Sequence, residues 1–490
     1  MSDFQISRRH VIGAMAGLPL VAGAGTACSV LSGGDDSDQT LRINYGGSAD
    51  TTPIPDPNPI AEALSEVVGF TVVSERSPED MGTALAGGQA PDIFLSSRSR
   101  LRELDAQGLL LDLTQYRDQL ADYEAFVGTE HVNTGLINDR LIGVVRKPRE
   151  YSYSSLWIRG DWLDELGLDM PTTLEEYAEV LQAFREEKPG RDDAVAMTGK
   201  GLGAFDLVYG AYELSQPNTL YASGGQVVDG YNDPNMPEAL EYVRSLIADG
   251  LVDPDLFSLG SAEARDRALQ GGAGAIHISW DQMTKPEFVA AGEAAQPDAE
   301  WRMLDVLNAP GKEGGMPSNS YGSVQGIPAS VGEDEERLDA LLTYLNYLGT
   351  DEGSRLVMFG IEGTHYEMDG DSVTALPALD EEGSYFFAYQ MAGRDEDTYL
   401  DVKFPDQREY WGACRDRKRI TRYEELVAPP DGFNVSDANR FGEEQLVLFL
   451  TGERDLEEYP QFLDELNGQF NYEEYVDSAR EQLDALGLPE

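Results

Sequence analysis

Trp280 and Asp281 stand side by side in ISWDQ, directly after the apolar run Ala275–Ile278. A flat ring beside a carboxylate suits a ligand that has both apolar faces and hydrogen-bonding groups. Tyr45, which precedes two glycines, and the pair Ser96-Ser97 hold similar positions after the apolar stretches that begin at Leu41 and Pro91. Groups for bond-making are scarcer. The chain has neither a G-x-x-x-x-G-K-[ST] phosphate loop nor a G-x-S-x-G nucleophile elbow. Gly199-Lys200-Gly201-Leu202-Gly203 is glycine-rich but lacks dinucleotide-binding spacing, and reads as a loop turn. His10, His131, His277 and His365 are far apart, and Cys28 and Cys414 are the only cysteines. No zinc-ligand spacing results, and a mature monomer has no structural disulfide. His277, in mid-strand, reads as structural. Among 89 acidic residues, any carboxylate pair is as readily a solvated face as a catalytic one.

The elements that must position these groups alternate. Leu41–Tyr45 reads as a strand, Pro59–Val68 as a helix, Phe70–Val73 as a strand and Pro91–Leu95 as a short buried strand. Leu101–Gly108 is a helix closed by glycine. This alternation predicts a doubly wound α/β lobe, whose ligands sit beyond the carboxyl ends of its strands. Farther on, Asp161–Leu166 and Thr173–Phe184 read as helices, with Thr173 and Glu176 at capping-box spacing. Pro237–Asp249 and Glu333–Leu348 are amphipathic helices, and Ala275–Ile278 is a strand. Beyond Gly360 the pattern weakens until helices near Glu443–Leu450 and Tyr475–Leu486.

The amino-terminal segment specifies an address. Ser7-Arg8-Arg9 precedes a small, apolar run from Val11 to Ala27, too glycine-rich for a stable span. It reads as a twin-arginine export signal over residues 1–27. The run closes on Gly25-Thr26-Ala27-Cys28, a lipoprotein-like cleavage box that makes Cys28 the expected lipidation site. Residues 28–40 are a flexible polar tether by composition. The formal net charge of -53, spread along the whole chain, argues against a nucleic-acid partner. A folded core under a dispersed acidic coat resembles proteins of salt-loving archaea, where molar salt screens the self-repulsion.

Four further stretches carry a family resemblance. Asp92-Ile-Phe-Leu95 with LRELDAQGLLLDLTQY (101–116), and above all LWIRGDWLDELGLDMPTTLEEYAEVLQAFRE (156–186), resemble family 1 extracellular solute-binding proteins. GIEGTHYEMDGDSV (360–373) and FLTGERDLEEYPQFLDELN (449–467) resemble the carboxyl-terminal signatures of the long oligosaccharide, alginate-binding-like branch. The resemblance implies an α/β two-lobe clamp, type II-like, with a mostly helical carboxyl-terminal portion. It implies no catalysis: the clamp binds carbohydrate and delivers it to the permease subunits of an ABC importer. It also implies a monomer, without cofactor, lipid-anchored at the extracellular membrane face. Where that branch often carries a calcium loop, this chain has EEKPGRDDAVAMTGKG (186–201); Asp192 and Asp193 remain but the alternating oxygen ligands do not, so no metal is expected. A receptor for a peptide, polyol or phosphodiester, and a secreted polysaccharide-degrading enzyme, stay open as alternatives.

On this resemblance, lobe 1 comprises 41–155 plus about 281–325, and lobe 2 comprises 156–280 plus about 326–490. Hinges are expected near Tyr153–Ile158, Ile278–Asp281 and Gly322–Ile327. Sugars present apolar CH faces and a rim of hydroxyls, so aromatic platforms beside polar groups are expected. The expected ligand-binding residues are Trp280 and Asp281, Tyr209 and Tyr212 in VYGAY, Trp411 in REYWGAC, Tyr45, Ser96, Ser97, and Asn319 and Tyr321 in the polar run before the last crossover.

Overall fold

The computed structural model describes residues 39–46, 54–78, 80–149, 151–319 and 324–489. The expected leader, Cys28, nearly all of the tether, and Tyr321 lie outside the described residues. The compact unit runs from Gln39 to Glu490.

In the first lobe, strands Thr40–Asn44, Thr71–Glu75 and Ile93–Ser96 pair in parallel. Val324–Gly326 adds an antiparallel edge against Ile93–Ser96. Alternation sets the faces: Leu41 and Ile43 are buried, while Arg42 between them pairs with Glu75 on the neighbouring strand at 2.7 Å. The crossover helix Pro59–Val68 has proline in its first turn and Asn58 as its N-cap, and stops at left-handed Gly69 (φ 71°).

The second lobe is built on strands ordered Trp301–Met303, Ser154–Arg159, Ala273–Ser279, Val195–Thr198. Ser154–Arg159 runs antiparallel and Val195–Thr198 parallel to the central Ala273–Ser279. Helix Leu174–Glu187 begins with the anticipated Thr173/Glu176 capping box. A further sheet places Arg419–Arg422 between Met316–Asn319 and Leu220–Ser223. Helices Val435–Thr451, Tyr459–Phe470 and Tyr472–Ala485 close the carboxyl-terminal portion, burying Phe449, Phe462 and Tyr472 in the same core as Leu240 and Tyr231.

Strand pairing corrects the expected division after residue 280. Trp301–Met303 pairs with Ser154–Arg159, and Met316–Asn319 with Arg419–Arg422, so 281–319 belongs to lobe 2. Helices Glu335–Leu348 and Asp351–Phe359, expected in lobe 2, instead bury Leu341, Leu345, Val357 and Phe359 against the first sheet. The docking is chemical as well as apolar: Arg337, one turn into its helix, pairs with the buried Asp92 at 2.9 Å. An apolar helical stripe does not encode which sheet it covers. The described residues therefore change lobe between Val145 and Ser154, between Asn319 and Val324, and over about 392–405. Ile278–Asp281 is no hinge, because the segment after it returns to the same sheet.

A third apolar cluster sits where these crossovers meet. It joins Tyr151, Trp157, Trp280, Met283, Leu400 and Trp411. Tyr151 donates to Asp397 at 2.9 Å and Tyr153 to Glu396, tying the first crossover to the last.

Candidate functional site

In open α/β sheets the carboxyl ends of parallel strands leave unpaired backbone and a crevice between loops. In lobe 2 the parallel pair Val195–Thr198 and Ala273–Ser279 ends beside the start of Ser154–Arg159. A pocket of about 390 Å³ opens there, lined by Ser154, Lys200, Asp206, His277, Ser279 and Gln282 among others. Its wall folds back tightly. A Cβ on Gly199 would lie 2.6 Å from the Ala204 Cβ, so only glycine lets the Gly201–Phe205 turn close over the strand end. Gly201 N donates to Leu256 O at 3.0 Å and fixes that turn against the next loop.

The groups lining the pocket are held but not saturated. Burial pushes the Asp206 carboxyl up to about 7, against the opposing effect of the Gln216 amide, which donates to it at 2.8 Å. Burial, with Arg417 nearby, pushes His277 down to about 4, so its imidazole is neutral at physiological pH. Its buried Nε2 has no hydrogen-bond partner. Lys200 is exposed and forms no ion pair among the described residues, in a chain with more than twice as many acids as bases. Ser279 donates to Asp281 at 2.6 Å, and Gln282 accepts from Arg265 at 2.8 Å. An ammonium, a neutral imidazole, a half-neutral carboxyl, hydroxyls and an amide make a set of donors and acceptors fit for a polyhydroxylated ligand.

Most of the expected site residues lie elsewhere. Trp280 is 0% exposed, its ring 5.3 Å from Tyr153 and 5.4 Å from Phe404. Trp411 is buried in the same cluster and donates its indole N–H to Phe404 O at 3.0 Å. Tyr209 and Tyr212 are core residues of lobe 2. Tyr45 is buried in lobe 1, edge-on to Phe387 at 5.5 Å. In this structure all five rings are buried, none more than 5% exposed, so they pack as core and do not stand as open platforms. Asp281 lies next to the pocket without lining it. Burial works to raise its pKa, but the Ser279 hydroxyl and Lys285 outweigh it and hold the carboxylate low. Ser96 is half-buried at its strand end; Ser97 is exposed and caps helix Arg98–Ala106, accepting from Arg100 N at 3.2 Å. Asn319 ends a strand opposite Arg422. Lys200, Asp206, His277 and Gln282 were not singled out as binding residues from the sequence. The strand-end rule applied to Val195–Thr198 would have pointed to Lys200.

Two α/β lobes joined by crossovers, with a polar pocket at the strand ends of the second lobe, suit a solute-binding clamp. The chain belongs to the bacterial extracellular solute-binding protein family, which matches residues 66–354, more than half its length. It is 26% identical over 387 residues to lipoprotein LipO of Bacillus subtilis, covering 73% of this chain and 74% of that protein. It is 25% identical over 325 residues to the polygalacturonan/rhamnogalacturonan-binding protein YtcQ of the same organism, covering 64% of this chain and 63% of that one. Among solved structures, the fold is similar to an HMO-binding, ABC-transporter-associated solute-binding protein from Bifidobacterium longum infantis. That match has a TM-score of 0.69 and 16% identity, covering 90% of this chain and 97% of the other. The Streptococcus pneumoniae ABC-transporter substrate-binding protein FusA in complex with kestose gives a TM-score of 0.68 at 15% identity, covering 92% of this chain and all of that one.

Proposed function

We propose that the protein is the substrate-binding component of an ABC importer and that it captures an oligosaccharide between its lobes. The observation that carries this reading is the pocket at the ends of Val195–Thr198 and Ala273–Ser279, where Lys200, Asp206 and the neutral His277 converge with hydroxyls and an amide. Its relatives include a protein named for binding polygalacturonan and rhamnogalacturonan and one named a fructooligosaccharide ABC transporter substrate-binding protein. Ligand docks on lobe 2, then bridges to lobe 1, and shifts an open–closed equilibrium about the three crossovers. The protein binds and releases; it does not cleave. The Arg8-Arg9 leader and Cys28 support twin-arginine export followed by lipid anchoring at the outer membrane face, with residues 28–40 as tether. A receptor so tethered works as a monomer beside its permease. The dispersed charge of -53 supports a life in concentrated salt.

Thermal unfolding of the mature chain in molar potassium chloride tests this against oligogalacturonates, fructo-oligosaccharides, peptides and polyols. An oligosaccharide at a hundred times its Kd stabilises the fold by about 2.7 kcal/mol and raises the midpoint visibly. A shift with peptides or polyols alone overturns the sugar assignment and keeps the clamp. Shorter sugar products accumulating during incubation would make the protein an enzyme instead.

A further inference from the structure

The pocket does not end at Lys200. On the other side of the Gly201–Phe205 turn lies a larger groove of about 950 Å³, running along helix Val435–Thr451. Lys200 and Gly203 line both spaces. Gln216, on the groove side, donates to Asp206, on the pocket side, at 2.8 Å. The two are one continuous surface over a shared rim. The groove's floor is apolar and only half-covered: Leu202, Phe257 and Leu448 are partly exposed. Its edge is polar, with Asn218 donating to Glu443 at 3.2 Å and Arg440 paired with Glu444 at 3.2 Å. Phe257 is the one aromatic ring lining the groove, and His277 the one lining the pocket.

We propose that this groove is a second binding site, holding the outer units of the same oligosaccharide whose end unit occupies the pocket; this rests on the carbohydrate reading above. A purely apolar occupant would strip water from the exposed Arg440, Glu443 and Glu444 and return no hydrogen bonds for those it displaces. A single sugar unit in the pocket would leave the larger space empty. A sugar chain has what the groove demands: CH faces to lie on Phe257, Leu202 and Leu448, and hydroxyls to meet the amides and charged groups along the edge. The wall it lies against is fixed. Gly201 is held to Leu256, and the nearby Asp253 is buried between Thr198 and Arg267. A preformed platform of this kind loses little freedom on binding.

The test is titration calorimetry on the full mature protein with two ladders, oligogalacturonates and fructo-oligosaccharides, each from dimer to hexamer. Affinity rises with length for the ladder that binds, and Phe257→Ala lowers hexamer affinity roughly tenfold while leaving the dimer unchanged. Glu443→Gln, on an exposed helix face, gives the same pattern more weakly and serves if Phe257→Ala does not fold. Equal affinity at every length, or equal losses for dimer and hexamer, overturns the groove and leaves the pocket standing. If no member of either ladder binds the folded protein, the groove and the carbohydrate reading fall together. Unchanged affinities with impaired uptake by the assembled importer would assign the groove to the permease and overturn the proposal.

Discussion

Two regions of lobe 2 begin from one strand and meet opposite fates. At the end of Ala273–Ser279, His277 and Ser279 line the pocket, Ile278 touches both the pocket and the cluster, and Ile276 and Trp280 enter the aromatic cluster with Trp157 and Trp411. Strand side chains alternate, so a single step along the chain separates an open polar surface from a sealed apolar one. The sealed region carries the large rings, and it lies where the first and last crossovers meet. Its aromatic area serves the junction between lobes. The open region carries small and titratable groups without saturated partners. On the reading proposed above, the pocket end of recognition falls to residues that a search for rings passes over, while the buried rings hold the frame between crossovers.

The most forceful way to break this contrast is Trp280→Ala. Removing a fully buried indole packed on Tyr153 and Phe404 costs about 3–5 kcal/mol in unfolding free energy. Denaturant unfolding of the unliganded protein in molar salt measures it. A variant with the parent midpoint but no sugar binding would return Trp280 to the ligand surface and dissolve the distinction. Lys200→Ala is the complement and has a smaller effect. Lys200 is exposed and makes no ion pair among the described residues, so the midpoint stays put. Oligosaccharide affinity falls roughly tenfold, the loss of one charge-assisted hydrogen bond. A shifted midpoint with intact binding would make Lys200 a structural residue.

How much of this was legible beforehand follows the range of each interaction. The first-lobe strands, the Pro59–Val68 helix and the Thr173/Glu176 capping box rest on neighbours within a few residues, and the structure has them nearly as read. The family, with its two-lobe fold, was legible in LWIRGDWLDELGLDMPTTLEEYAEVLQAFRE, which lies inside the matched segment. The lobe assignment of Glu335–Leu348 was not, because its apolar stripe is silent about its partner until Arg337 meets Asp92. The residues that line the pocket were hidden for a sharper reason. Trp280 does follow a strand end, but there the backbone turns helical and the ring packs on Tyr153 and Phe404. Lys200 was hidden in a run of glycines read as a plain turn, and His277 in a strand read as core.

The finest test lies in the titration of the pocket itself. In the folded chain the Asp206 carboxyl is pushed up to about 7 by burial, from an ordinary value near 4. The folded state therefore holds a proton that the unfolded chain has already released between these values. Stability from this group is complete below the unfolded value and is lost as pH rises through 7. His277, pushed down to about 4, acts in the opposite direction: its contribution is lost as pH falls from 6.5 towards 4. The two overlap in the acid range, and Asp229, pushed up to about 6, adds to the first. A single melting profile therefore cannot assign them, but a difference can. Asp206→Asn keeps the Gln216 contact in shape and removes one titration. Relative to the parent, the variant gains stability as pH rises from 5 towards 7, and the difference levels off above about 7.5. Unfolding midpoints across that range in constant molar salt provide the curve. A flat difference would mean that Asp206 is solvated and ionised throughout, and the pocket would lose the half-neutral carboxyl that sets it apart from the acidic coat around it.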